Sequence, residues 1–380
     1  MLRSKTCPRD ASGAAIGLGV ALALAPVHGT HAIELSDSAS ADIVLTSVMQ
    51  QGSFSGTSVR DGARGTFVAE VALSFEPSEK DAFGLRASAA AGNAFNDVNP
   101  LSLAPYADDL EDDVTDINGT TRDYLLSAWY RHRFVIGQSA GLAVTAGLID
   151  STGYLDANAF ANDEGAQFMN EAFVNNPLLN LPSYDPGIAL ELEGSGGWSF
   201  RTVWMSSKNV DPDNGLDRRA SYIGAEVGYS LSHAGGSTSI RLTAYGTTDD
   251  FRAASGGGTA SQRGLGLSAD HRFNSGLGLF ARLGWQDDGS MVTHDRFLSA
   301  GLSVGGTLWG REDDEIGLAY GYLEGTVGNP DTNLVEAFSR FQLSEFSNLT
   351  FDVQFLNDDA GGGATAVEGV LLGARLNAYF

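Results

Sequence analysis

The dominant pattern along the chain is alternation with a period of two. In the segment from Thr66 to Phe75, one side carries Phe67, Ala69, Val71, Leu73 and Phe75, and the other Val68, Glu70, Ala72 and Ser74. Successive side chains of a strand point to opposite faces, so this segment has one greasy face and one that is mostly polar or small. The pattern returns at 262–273, where Leu265, Leu267, Ala269 and Phe273 oppose Gly264, Gly266, Ser268, Asp270 and Arg272. At 347–356, Leu349, Phe351, Val353 and Phe355 oppose Thr350, Asp352 and Gln354. The last segment sets Val370, Leu372, Ala374, Leu376, Ala378 and Phe380 against Gly373, Arg375, Asn377 and Tyr379.

This alternation predicts sixteen strands, at 43–56, 66–76, 81–92, 122–137, 140–152, 186–197, 198–208, 220–231, 237–250, 262–274, 276–289, 295–308, 313–325, 332–345, 347–358 and 369–380. Short turns are expected at 76–80, 137–141, 194–197, 232–237, 274–276, 310–313 and 344–348. Longer loops are expected at 57–65, 93–121, 153–185, 209–219, 251–261, 290–294, 326–331 and 359–368. A strict alternation of short and long connections is what an up-and-down barrel in the outer membrane produces, with short periplasmic turns and longer extracellular loops. The expected fold is therefore all-β, a 16-stranded antiparallel transmembrane β-barrel of a Gram-negative-type outer membrane, with both ends of the barrel periplasmic. A soluble sandwich also alternates, but its polar face lies in water and has no need to be small and Gly-rich. A fibrous repeat protein would show a fixed repeat, and none is found.

In such a barrel the apolar face meets lipid. Tyr130, Trp204, Tyr229, Trp285, Tyr320, Tyr322 and Phe380 fall on it near strand ends, where interfacial aromatic girdles belong. The opposite parity places Arg86, Arg131, Arg133, Arg201, Arg241, Arg272, Arg282, Arg340 and Arg375 inside, together with Glu70, Glu226, Asp270, Glu336 and Asp352. An arginine facing lipid at mid-depth costs about 2–4 kcal/mol, so a consistently inward set supports this facing. Two readings of these charges stand side by side. They form a mutually satisfied network that holds the wall, or a selectivity lining that hydrogen-bonds passing solutes.

Composition fits one large unit. Gly is abundant at 48 and Pro scarce at 10, and no Pro/Ser-rich linker or charge block divides residues 33–380. The start of the chain is different. Arg3, Lys5 and Arg9 precede an apolar stretch of 12 residues, Ala14 to Ala25, which is shorter than the roughly 20 residues a spanning helix needs. Thr30-His31-Ala32 then forms a cleavage pattern, so residues 1–32 are expected to be a signal peptide and 33–380 the barrel. Its removal takes away three basic residues and one acidic residue, moving the net charge from −24 to −26. That balance argues against nucleic-acid binding. The only cysteine, Cys7, leaves with it, so architecture rather than disulfides must hold the exported chain.

The longest loop is rich in Asn, Phe and Ala. Residues 159–173 are expected to have helical character, with Phe160, Phe168, Met169 and Phe173 on an apolar side. Loops of this length are usually functional or disordered, and large apolar residues argue against disorder. A loop folded into the mouth and narrowing the pore fits best, with an external cap as the alternative. The acidic run Asp108, Asp109, Glu111, Asp112, Asp113 could bind Ca²⁺, but it lacks EF-hand spacing and reads better as a solvated surface run. No cofactor is called for. The six histidines show no metal spacing, and no Gly-Xaa-Ser-Xaa-Gly sits at a strand-to-helix turn, so nothing supports a nucleophile or an outer-membrane barrel enzyme.

Within that loop stand Asp156-Ala157-Asn158-Ala159-Phe160-Ala161-Asn162-Asp163, Gln167-Phe168-Met169-Asn170 and Phe173-Val174-Asn175-Asn176-Pro177. These stretches resemble the carbohydrate-selective porins of the OprB type, as do residues 313–319 and 336–342 leading to 351–354. The chain departs from that pattern in the short, strongly acidic run after Pro100. The resemblance implies a 16-stranded porin passing sugars by facilitated diffusion, and the loop residues quoted above are the candidate constriction on the pore-narrowing reading of the loop itself. The alternative is a general or anion-preferring porin, suggested by the inward arginines. Expected partners are sugars as transported solutes, outer-membrane lipid, the barrel-assembly machinery through the strand ending in Phe380, and a homotrimer as an assembly open to such a barrel.

Overall fold

The computed structural model describes residues 32–136, 140–211, 216–362 and 365–380. The expected signal peptide lies outside the described residues except for Ala32, as do parts of the 137–141 turn and of the 209–219 and 359–368 loops. Sixteen long strands run in order: β1 Ala39–Ser55, β2 Gly62–Phe75, β3 Asp81–Ala91, β4 Leu125–Ile136, β5 Ala140–Ile149, β6 Asp185–Glu193, β7 Trp198–Asp211 and β8 Leu216–His233. They continue as β9 Gly236–Thr247, β10 Arg263–Phe273, β11 Leu277–Gln286, β12 His294–Gly305, β13 Glu315–Gly325, β14 Asp331–Ser344, β15 Ser347–Asp359 and β16 Val367–Tyr379. A short strand Ile33–Ser36 folds back on the start of β1.

Each strand pairs antiparallel with the next, and β16 returns to β1 with Tyr379 opposite Val44 and Glu368 opposite Ser55. Phe380 and Ile43 exchange backbone hydrogen bonds just beyond that register. The sheet is a closed 16-stranded barrel with no free edge, so backbone donors and acceptors of the wall are paired within the protein. Both ends of the barrel chain, Ala39 and Tyr379, lie at the same rim as the β2–β3 turn.

The expected strands are all found, with ends shifted by a few residues. The expected strict alternation of connection length is not. The connection 306–314 contains a 3-10 turn, Gly306–Trp309, closed by an Arg311–Asp314 ion pair, and is longer than several connections at the opposite rim. Conversely, the expected loop 209–219 is mostly strand, because β7 and β8 stay paired as far as Asp211 opposite Leu216. Turn residues predict where strands stop only when no cross-strand pairing competes to extend them.

Exposure alternates along the wall as the period-two pattern requires, most plainly in β6 and β16. Phe351, Leu372, Trp285 and Tyr320 lie on the outer face, and Phe75, Phe83 and Tyr130 stack there at neighbouring strand ends with ring centroids 6.0 and 4.9 Å apart. The inner face differs from a simple polar lining. Phe280, Phe297, Phe338, Leu334, Leu356 and Leu371 point inward and are buried in an apolar cluster. Their partners are Phe95, Leu101, Phe160, Phe168 and Phe173, all carried by two loops that enter the barrel. Glycines on the wall make room for these rings. A Cβ at Gly317 would stand 2.2 Å from Phe338, and one at Gly278 would stand 2.2 Å from Phe160.

A charge placed on the outer face tests this arrangement. Leu372→Arg, near the middle of β16, is expected to destabilise the barrel by about 2–4 kcal/mol in a lipid-vesicle denaturant titration. A variant as stable as the parent would place Leu372 off the lipid face.

Candidate functional site

The loop between β5 and β6 is held by its own polar side chains. Asp150, Asn170 and Asn176 each accept a hydrogen bond from a backbone N–H two residues on, which starts the short turns at Ser151–Gly153, Glu171–Val174 and Pro177–Leu179. Asn and Asp are strong N-cap residues, and Pro177 takes the first helical position, where a missing N–H costs nothing. The helix expected over 159–173 is reduced to Glu171–Val174. Side chains compete for the backbone there: Asn158 accepts from Phe160 N, Asp163 from Gly165 N and Ala166 N, and Gln167 from Asn162 N. Such local bonds offer the chain an alternative to the helical ladder.

The loop crosses the lumen and is tied to the wall at many points. Arg282 of β11 is fully buried and donates to the carbonyls of Phe173 and Asp156, both at 2.9 Å, while its Nε lies 3.1 Å from the Asp156 carboxylate. Asp156 also accepts from Asn176 N at 2.7 Å and donates its own N–H to Glu226 of β8 at 2.7 Å. Arg375 donates to the carbonyls of Glu164 and Gln167, and Arg340 to that of Ala166. Glu336 accepts from the N–H groups of Met169 and Asn170. Asn158 reaches Ser268, and Asn176 the Leu283 carbonyl. Phe168 sits between Phe173, Phe280 and Phe338, with ring centroids 5.2, 5.8 and 4.9 Å away.

The loop between β3 and β4 also folds inward, which the sequence did not suggest. Tyr106, Leu110 and Val114 are buried, and the Pro105 carbonyl accepts from Gln50 and Gln354 on the wall. The two loops join through Ala104 and Ala107, which bond to Glu171 and Met169. The acidic run is thereby split, correcting its reading as a surface segment. Glu111, Asp112 and Asp113 remain exposed, whereas Asp108 and Asp109 turn inward and are only partly exposed. The Tyr106 hydroxyl donates to Asp108 and the Tyr184 hydroxyl to Asp109, both at 2.8 Å. Among the described residues, no group of three or more His, Cys, Asp or Glu is arranged to hold a metal ion.

The space left beside the loops forms a cavity of about 440 Å³ and a smaller one of about 120 Å³, which share Glu70, Arg86, Asn162 and Glu164 in their linings. Asp42, Asp109, Asp150, Trp129, Tyr154, Asn175 and Tyr184 line the larger one, and Asp108 and Asp163 the smaller. Burial, then the neighbouring Asp108, pushes the Asp109 carboxyl well above its usual range. Glu164 is raised in the same direction by burial, then by Asp108 and Asp163. A third, wider space of about 1030 Å³ opens at the turn rim and is lined by Arg272, Arg311, Arg340 and Gln342 among others.

The nine inward arginines are therefore brought to different places. Arg86 lines both the larger and the smaller cavity, 3.4 Å from Glu70. Arg131 is buried and paired with Glu191 at 3.1 Å, Arg201 lies 3.0 Å from Glu193, and Arg241 lies 2.7 Å from Asp270. Arg282, Arg340 and Arg375 hold the loop, and Arg272 lies over the Phe160 ring at 4.6 Å. Arg133 is partly buried and lines none of the three cavities, and Asp352 accepts from Gln354 close to Glu336. Asp42, Asp150, Glu164, Trp129, Tyr154 and Tyr184 were not singled out from sequence. Trp129 shares the inward parity of Arg131 and Arg133, so alternation alone could have found it.

A family model described as carbohydrate-selective porin, OprB family, matches residues 71–380. A protein of Aquifex aeolicus (strain VF5), itself uncharacterized, is 32% identical over 282 residues, covering 72% of this chain and 78% of its own length. The high-pH structure of Pseudomonas putida OprB superposes with a TM-score of 0.69 at 15% identity, over 90% of this chain and 94% of that one. The anion-selective porin from Comamonas acidovorans gives 0.52 at 15% identity, over 90% and 99%. At these identities the two structures establish the barrel alone.

Removing the charge that holds the loop tests the anchoring. Arg282→Met leaves Asp156 buried without its cation, a loss of about 3–5 kcal/mol for a broken buried pair. Faster proteolysis or amide exchange within 156–176 is expected. Unchanged protection of that segment would show that Arg282 does not anchor it.

Proposed function

The chain belongs to the OprB family of carbohydrate-selective porins, and from that membership we propose that it gives facilitated diffusion of small carbohydrates across the outer membrane. The observation that carries this reading is that two folded loops enter the 16-stranded barrel and leave beside them a space of about 440 Å³ lined by carboxylates, asparagines and aromatic rings. That size falls within the roughly 300–1,000 Å³ typical of small-molecule sites. A barrel of about 16 strands without such loops leaves a wide aqueous channel.

The residues support sugar passage in physical terms. A neutral sugar gains little from a bulk field. It is recognised by hydrogen bonds to hydroxyl pairs and by contact of its apolar face with an aromatic ring. Asn162, Asn175, Glu70 and Arg86 offer the first, and Trp129, Tyr154 and Tyr184 the second. Binding must stay weak, because a tightly held solute would block the channel it crosses. Arg272 and Arg340 in the space at the turn rim extend the polar path, while Arg131, Arg282 and Arg375 serve the wall and the loop. We assign residues 1–32 to the export signal, the turn rim and both barrel ends to the periplasm, and the strand ending in Phe380 to recognition by the assembly machinery.

Liposome swelling with glucose, an uncharged disaccharide and an amino acid of similar size to the sugar tests the reading, and the sugars are expected to enter faster for their size. Deleting 159–172 is expected to raise single-channel conductance and erase that preference. If the deletion leaves both unchanged in a folded barrel, the loop is an external cap and the constriction lies elsewhere.

A further inference from the structure

The linings of the two neighbouring cavities, which share four residues, are unbalanced in charge. Seven carboxylates, Asp42, Glu70, Asp108, Asp109, Asp150, Asp163 and Glu164, face one guanidinium, that of Arg86. Resting on the channel reading above, we propose that these two cavities form a neck of the channel and that this neck is a cation-preferring filter set by the loop carboxylates, favouring carbohydrates that carry an ammonium group over those that carry a carboxylate.

Three observations converge on it. The first is where the arginines have gone. Arg282, Arg340 and Arg375 donate to loop carbonyls, and Arg131, Arg201 and Arg241 are held by wall carboxylates. The nine inward cations therefore deliver one positive charge to the neck, and the sign expected from counting arginines is reversed. The second is the fixed aim of the loop carboxylates. Asp108 and Asp109 are each oriented by a tyrosine hydroxyl, from Tyr106 and Tyr184, so their charge is presented at a set place rather than on a free side chain. Low-dielectric walls focus such a field along a narrow passage. Burial, and after it repulsion between neighbouring carboxyls, makes Asp109 and Glu164 harder to ionise than usual. A passing cation relieves that repulsion, and a passing anion adds to it.

The third observation points to a hydroxylated solute rather than a bare ion. The Nδ2 group of Asn175 is buried in the wall of the larger cavity and has no protein partner. A buried donor left without an acceptor is costly, and a small rotation of the Asn175 side chain towards the cavity would let a sugar hydroxyl or ring oxygen satisfy it. Trp129 lies in the same lining, packed so closely over Gly84 that a Cβ there would stand 2.3 Å from its ring. An ammonium-bearing sugar uses the carboxylates, the amide and the ring together. A uronate meets the same amide and ring but is repelled by the carboxylates.

The test is the reversal potential of the intact protein in planar bilayers, in a KCl gradient at mildly alkaline pH, repeated with glucosamine hydrochloride and with potassium glucuronate. The expected permeability ratio of K⁺ to Cl⁻ is about threefold or more. Glucosamine is expected to carry current and glucuronate to be nearly excluded. The combined variant Asp108→Asn, Asp109→Asn, Glu164→Gln should bring the ratio towards unity, and Arg86→Gln should raise it, with heat-modifiable migration confirming that each barrel is folded. An unselective or anion-preferring parent overturns the proposal, as does a folded triple variant that keeps the parent's ratio. The arms also separate this inference from the sugar reading. Free glucose entry without cation preference removes only the filter, whereas cation preference with no glucose entry removes the sugar channel itself.

Discussion

Every backbone N–H and C=O of the lipid-facing wall must find a partner inside the protein, and the rest of the architecture follows from that constraint. In lipid there is no water to supply one, so the sheet closes on itself through β16 and β1. Closure solves the problem for the wall and moves it inward. Two long loops enter the barrel, and their irregular backbone has no ladder of its own. The wall supplies the missing partners. Arginines at 282, 340 and 375 donate to loop carbonyls, and glutamates at 226 and 336 accept from loop N–H groups.

This division of labour explains why charges inside the barrel are not the same as charges in the channel. Long side chains on the inner face reach the loop before they reach a solute, and of the three arginine anchors only Arg340 still lines one of the open spaces, the one at the turn rim. Asp156 shows the logic most compactly: its carboxylate, its N–H and its carbonyl are all engaged, with Arg282, Asn176 and Glu226 as partners. The apolar half of the same design is the cluster of Phe168, Phe173, Phe280 and Phe338, which fills the lumen where a simple porin interior would be polar. What stays open lies to one side, and the loops line it with acids.

Much of this was legible before any coordinates. Alternation located all sixteen strands and sorted inward from outward residues, because lipid and lumen impose opposite chemistry on neighbouring positions. The inward arginines and the aromatic belt followed from parity alone. The Asn-, Phe- and Ala-rich loop stood out by length and by apolar content that needs burial. The helix expected across 159–173 did not form, because Asn158, Asp163 and Gln167 bind the backbone locally, and propensity cannot anticipate which of the competing bonds will be made.

The acidic run from Asp108 to Asp113 marks the boundary of what sequence can say. Its composition was plain, but whether each carboxylate faces water or the lumen depends on Tyr106 and Tyr184, the latter 75 residues distant in sequence from Asp109. The sequence by itself determined the closed barrel, the facing of its wall and the presence of a loop with something to bury, since a period-two pattern is local and every strand carries its own copy. Only the tertiary structure decided which charges the passage keeps. That outcome rests on pairings between a loop and strands more than a hundred residues away, such as Arg282 with Asp156, and no local pattern encodes a partner at that distance.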